Sequence, residues 1–356
     1  MLLMIGYLTT PTSVTGVSLA EFWAWVRYLA AITSHDADLR LTRSYADLDA
    51  HQKTILSDDF GMGVPMVWLM KHLPLVEIVD GRYFLQRYAA SHSAHQHRTA
   101  KRGPNKTPDF VARDRNGNWH IMECKGTQSG EAFRDRQIAS GVSQKLSITF
   151  PPGHTGQRLV SGLSIGIEDG NPSHLRIIDP IPDDPVAIAE SELEFAKDAA
   201  TRGVMAKLLR STGFEIAAEA VAAPFGKPQA MPPSTRKADK KRVEYLADRD
   251  RRAREELLES TPRRHLFDDR YRGREVTFQL PRPISTPDAE ISKVTVRQGI
   301  NLDALDLLRE QPTIETLVDP SRNNWIDMMG ENIIYDDDRT ATLQIGEIFR
   351  SELILE

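Results

Sequence analysis

Between residues 108 and 125 the chain reads Pro108-Asp109-Phe110-Val111-Ala112, a polar stretch from Arg113 to Asn118, then Trp119 to Lys125 ending in Glu123-Cys124-Lys125. Both apolar runs have strand character, and the polar stretch between them has turn chemistry, so the segment is predicted to be a β-hairpin. Side chains alternate along a strand, which places Glu123 and Lys125 on one face and the Cys124 thiol on the other. If Asp109 reaches that first face, two carboxylates stand beside an ammonium. Such a pair can hold Mg²⁺, or Mn²⁺ in its place, with the Cys124 backbone carbonyl as a third oxygen ligand.

The hairpin register decides whether they meet. A two-residue turn at Asn116-Gly117 would pair Asp109 with Cys124 and send its side chain to the face opposite Glu123. A type I turn over Asp114-Arg115-Asn116-Gly117, with Gly117 left-handed as a bulge, instead pairs Asp114 with Asn118 and sets Asp109 across from Glu123. Asp at the first turn position and Gly at the fourth favour the second register, which is the expectation.

This arrangement, an acid after a proline at the start of one strand and Glu-x-Lys at the end of the next, resembles the PD-(D/E)XK nuclease superfamily. The resemblance spans about residues 60–180. It implies a restriction-endonuclease-like α/β fold, a mixed sheet flanked by helices, and Mg²⁺-dependent hydrolysis of phosphodiester bonds, most naturally in DNA. The cation would activate water and neutralise charge at the scissile phosphate, and Lys125 would orient that water or stabilise the developing charge. Restriction, anti-phage defence and mobile-element processing are the settings it suggests. Members of the superfamily often carry a further acid on a helix before the hairpin; Asp59, with Asp58 behind it, is the candidate ligand here. Similar families use a Gln or Lys from the helix after the hairpin, which selects Gln137, with Gln144 and Lys145 further along.

Other acid-x-lysine matches carry less. Asp239-Lys240-Lys241 lies in a charge run without an apolar strand around it. From Tyr88 to Pro108 there is no acid, but there are Arg98, Lys101, Arg102 and Lys106 together with His92, His95 and His97. These cations suit phosphate contacts that position a nucleic-acid strand without reading its bases. A solvated loop is the plain alternative, and the histidine spacing is not that of a zinc site. The chain has neither a GxxxxGK[ST] phosphate loop nor a Gly-x-Ser-x-Gly elbow.

The elements that must carry these residues follow the sequence period. Val17 to Ile32 and Val64 to Leu73 have helical spacing, with Ser57-Asp58-Asp59 as the start of the second helix. Gly130 to Leu146 reads as a helix, Leu159 to Ile167 and His174 to Ile178 as strands, and Ala187 to Leu209 as a long helix. Prolines 224, 228, 232 and 233 mark a linker. Arg236 to Arg254, with nine Lys/Arg and four acids, reads as a solvated charged helix with i, i+4 pairs such as Lys240–Glu244. Strands at Val276–Leu280 and Lys293–Arg297 and a helix near Leu302–Leu308 follow. The expected organisation is residues 1–222 as N-terminal helices plus the nuclease-like domain, 223–262 as linker and charged helix, and 263–356 as a smaller acidic C-terminal domain.

Composition bounds the rest. At 356 residues with 40% hydrophobic and 27% charged residues, the chain is a globular protein too long for one small core. A single cysteine excludes an internal disulfide and fits a cytoplasmic setting. No stretch is apolar enough to span a bilayer and Met1 to Leu8 lacks a basic leader, so neither membrane anchoring nor export is expected. The formal charge of -5 divides into +4 over residues 1–300 and -9 over 301–356 (13 acids, 4 Lys/Arg). That acidic end, in which Asp336-Asp337-Asp338 reads as an exposed turn, could dock a protein partner. Two alternatives to a free enzyme follow: a catalytically idle module that binds nucleic acid or protein, and a subunit silent outside its complex. Cutting both strands of a duplex takes two sites, which a homodimer would supply.

Overall fold

The computed structural model describes residues 1–12, 24–25, 27–35, 38–92, 107–145, 148–181, 186–222, 236–259, 263–287, 289–310, 328–330, 332–337 and 339–356. It is a mixed α/β molecule with a five-stranded mixed sheet, flanking helices and a six-stranded antiparallel C-terminal sheet.

The first half runs α1 (Leu2–Thr9), α2 (Ala50–His72), β1 (Leu75–Asp80), α3 (Gly81–His92), β2 (Phe110–Asp114), β3 (Trp119–Thr127), α4 (Glu131–Lys145), β4 (Thr155–Ser164) and β5 (His174–Ile178), with two-residue strand pairings between them. The sheet order is β1-β2-β3-β4-β5. Within this sheet only the β3–β4 pair is parallel, because α4 returns the chain across one face between them and a parallel pair needs such a crossover. The strand most central to the sheet is therefore the one carrying Glu123 and Lys125.

Its two faces meet different layers. Met122 and Cys124 belong to an apolar cluster with Leu56, Phe60 and Met66 of α2. Trp119 and Ile121 belong to a second cluster with Phe84 of α3 and Phe150, and the Trp119 and Phe150 rings stack with centroids 4.8 Å apart.

Helix α2 starts earlier than its apolar spacing suggests. The Asp49 carboxylate caps it, accepting from the His51 and Gln52 backbone N–H groups at 3.0 and 3.2 Å. Ser57, Asp58 and Asp59 consequently sit in the third turn rather than at the N-terminus. The dipole argument for acids at a helix start does not apply to them. Of the expected Val17–Ile32 helix, residues 17–23 and 26 lie outside the described residues, and 24–25 and 27–28 are helical.

The second half continues with α5 (Leu193–Ser211), α6 (Glu215–Ala222), α7 (Arg236–Leu258), β6 (Arg264–Leu266), β7 (Tyr271–Ser285), β8 (Glu290–Asn301), α8 (Leu302–Glu310), β9 (Asn332–Asp336), β10 (Thr340–Ile345) and β11 (Phe349–Leu355). The C-terminal sheet has the order β6-β7-β8-β11-β10-β9. Its inward residues Val294, Val296, Ile300, Leu343 and Phe349 share one apolar cluster with α1 and α2.

The described side chains of α7 before Arg249 are exposed or half-exposed. Lys240 and Glu244 form the expected exposed pair at 3.8 Å. Further along, Arg249, Ala253, Glu256 and Leu257 are buried, and the Glu256 carboxylate accepts the Ala217 N–H of α6 at 2.8 Å. One face of the helix, with Arg249 and Ala253 from the charge run, is thus packed rather than solvated. No described helix is long and apolar enough to cross a membrane.

Candidate metal and phosphate site

The β2–β3 hairpin has the register that local turn chemistry favours. Phe110 pairs with Met122, Val111 with Ile121, Ala112 with His120 and Arg113 with Trp119. Asp114 N–H donates to the Asn118 carbonyl at 2.9 Å, Gly117 N–H to the Asp114 carbonyl at 3.1 Å, and Gly117 has φ +85°. Asp114 locks the turn with its side chain, accepting from Asn118 N–H at 2.7 Å and Asn118 Nδ2 at 2.9 Å.

The ladder ends at Phe110–Met122; continued by one step, its register would set Asp109 across from Glu123. Since Asp114 and Asn118 are a hydrogen-bonded pair, 109 and 123 fall at a non-hydrogen-bonded position, where facing side chains approach most closely. The Asp109 carboxylate terminates the ladder: Oδ2 accepts the Cys124 N–H at 2.8 Å. A strand residue's N–H and C=O point to the same side, so the Cys124 carbonyl is directed to the edge where Asp109 lies.

Glu123 is 1% exposed, and its Oε1 is hydrogen-bonded and ion-paired to Lys125 Nζ. The Lys125 side chain is 25% exposed, so the ammonium reaches the surface over a carboxylate that does not. Ser161 of β4 donates to the Glu123 carbonyl at 3.2 Å and steadies the strand from its other side. On the opposite face, burial and then the Asp109 charge push the Cys124 thiol well above the ordinary cysteine range, leaving it an inert core group.

Helix α4 covers the Glu123 face and runs antiparallel to β3 and β4. A Cβ on Gly141 would stand 3.7 Å from Glu123 Cγ and 3.1 Å from Val160 Cγ1, while one on Gly162, the register partner of Lys125, would meet Ile138 Cδ1 at 2.7 Å. Gln137, one turn before Gly141, lies at the level of Lys125, half-buried, and its Oε1 is buried with no hydrogen-bond partner among the described residues. Phe133, a further turn away, is exposed under the Arg136 guanidinium.

Asp59 is not part of this group. Its helix packs on the Cys124–Gly126 face of β3, opposite Glu123, with Gly61 against Gly126. Asp59 accepts the Tyr28 hydroxyl. Burial holds its carboxyl above the ordinary range, although the Tyr28 hydrogen bond opposes the shift. Among the described residues no three His, Cys, Asp or Glu side chains converge as metal ligands. Asp109, Glu123 and the Cys124 carbonyl are the oxygens at this end of the hairpin that could hold a cation, a number of protein ligands that would suit Mg²⁺, which keeps several waters and takes one or two carboxylates from the protein.

The basic-loop residues Arg98, Lys101, Arg102 and Lys106, with His95 and His97, lie outside the described residues, as do the side chains of His92, Gln144 and Lys145. The site also depends on glycines that spacing arguments did not single out, Gly61, Gly126 and Gly141. The glycine directly after Lys125 was the available signal. Compared with models of known protein families, with curated proteins and with solved structures, the chain matches none of them.

Proposed function

We propose that the chain is a divalent-metal-dependent nuclease with a restriction-endonuclease-like core, hydrolysing phosphodiester bonds of DNA. One observation supports the reading: in the register that pairs Phe110 with Met122, Asp109 comes next in line with its carboxylate on the Cys124 N–H, and Lys125 stands beside Glu123. A chance acid-x-lysine match has no reason to be joined by a turn that brings a third group to the right face.

The roles divide among the chain's own groups. Asp109 and Glu123, with the Cys124 carbonyl, would hold Mg²⁺. When bound, the cation supplies Lewis acidity and charge neutralisation at the scissile phosphate. Lys125 supplies a fixed positive charge toward the solvent opening, placed to orient a water or a phosphate oxygen. Gln137 offers a buried amide oxygen as an acceptor at the same level. Helix α4 shields Glu123 from bulk water, which strengthens each of these interactions.

The test is cleavage of supercoiled, linear and single-stranded DNA, and of RNA, with Mg²⁺ or Mn²⁺. Asp109→Asn, Glu123→Gln and Lys125→Met should each lower the rate by about 10²-fold or more while the protein still melts cooperatively. Cleavage that survives Glu123→Gln would refute the assignment.

A second reading, a catalytically idle scaffold that binds nucleic acid or protein, is favoured by one feature: Asp59 is engaged by Tyr28, and among the described residues no third metal-binding side chain joins the pair. Retained DNA binding without cleavage of any substrate, in wild type and Lys125→Met alike, would select it.

A further inference from the structure

Strand β1 ends where α3 begins, and this junction lies against Pro108-Asp109. The Gly81 N–H donates to the Asp109 carbonyl at 2.9 Å, extending the β1–β2 ladder one step past Asp80↔Phe110. A Cβ at position 81 would lie 2.8 Å from Pro108 Cγ and would overlap the Pro108 carbonyl oxygen. Only a residue without Cβ allows this approach.

The neighbouring Asp80 is itself clamped. Its carboxylate accepts from Lys207 Nζ at 2.7 Å and from the Thr12 hydroxyl. Lys207 is 0% exposed along its side chain and also donates to the Leu8 carbonyl at 2.9 Å. Releasing Asp80 would strand an ammonium in the core, so the end of β1 is held firmly. Asp109 is thus restrained twice, through its carbonyl by Gly81 and through its carboxylate by the Cys124 N–H.

We propose that Gly81, backed by the Asp80–Lys207 pair, is a positioning residue that sets Asp109 across from Glu123 and so tunes the affinity of that pair for a divalent cation. The affinity clause rests on the nuclease reading; the placement of Asp109 does not.

The chain's single cysteine makes the two separable. Isotope labelling of cysteine nitrogen in the full-length protein gives one amide signal, that of Cys124, whose N–H ends on Asp109. Its hydrogen exchange reports the placement of Asp109, and its broadening by added Mn²⁺ reports the metal site. Gly81→Ala should speed Cys124 exchange by about tenfold or more and raise the Mn²⁺ concentration for half-broadening by a similar factor, with Asp109→Ala marking complete loss. Thr12→Val, which removes one donor to Asp80 at conserved volume, should move both readouts by about threefold. It decides the matter if Gly81→Ala does not melt cooperatively. Exchange within about twofold of wild type in every variant that folds would overturn the inference. Faster exchange in a protein whose wild-type signal Mn²⁺ does not broaden would support the placement role and remove the metal reading instead.

Discussion

Gly61 of α2 and Gly126 of β3 cross in backbone contact: a Cβ on Gly61 would lie 2.5 Å from Gly126 N and 2.7 Å from the Lys125 carbonyl carbon. The helix therefore bears directly on the strand that carries Glu123 and Lys125. Gly61→Ala should destabilise the protein by about 3 kcal/mol, since neither partner is a side chain that can rotate away. Urea unfolding measures the loss, and an effect below about 0.5 kcal/mol would mean the two backbones are not in contact.

The turn at Gly117 makes a different kind of prediction. Its φ is +85° and nothing lies within 4 Å of a Cβ built there, so a substitution would act through backbone conformation alone. Gly117→Ala should cost about 1 kcal/mol, and Gly117→Asn less, because asparagine tolerates the left-handed region. Equal losses for the two variants in denaturant titrations would contradict a left-handed Gly117.

His120, on the same hairpin, gives the stability a pH dependence. Its Nδ1 accepts the Gln157 N–H at 3.0 Å, which leaves the proton on Nε2, facing Asp114 at 3.3 Å. Burial lowers its pKa below the ordinary 6.5 despite the Asp114 charge. With the folded pKa depressed, the unfolded chain binds the proton more readily, so this contribution is present above 6.5 and is lost as pH falls through the folded value. Unfolding free energies measured from pH 7.5 down to 5 should decline in wild type and decline less in His120→Gln; identical slopes would count against a buried neutral imidazole.

What could be read from residues alone was what short-range chemistry decides. Asp114 and Gly117 select the turn, the turn selects the register, and the period of a strand then assigns Glu123, Lys125 and Cys124 to their faces. The α4 helix was legible from its own period, and the Phe110–Met122 pairing of the hairpin from its turn. Asp59 was not, because a helix start depends on which cap wins, and Asp49 captures the N–H groups two turns earlier. The solvated reading of α7 held for Arg251 and Arg252, with i, i+4 pairs Arg251–Glu255 and Asp250–Arg254, but missed the face of Arg249 and Ala253, which continues to Glu256 and its bond to α6, 39 residues away.

The sequence by itself thus determined the hairpin, its register and the faces that Glu123, Lys125 and Cys124 take, since each step involves residues within a few positions of one another. Only the tertiary structure decided which helix covers Glu123, which face α2 takes, and what holds the end of β1 against Asp109. Those outcomes turn on close approaches between glycines and distant backbone, and on a buried lysine reaching Asp80 across 127 positions. No local pattern encodes such contacts, because their energy exists only once the layers have closed.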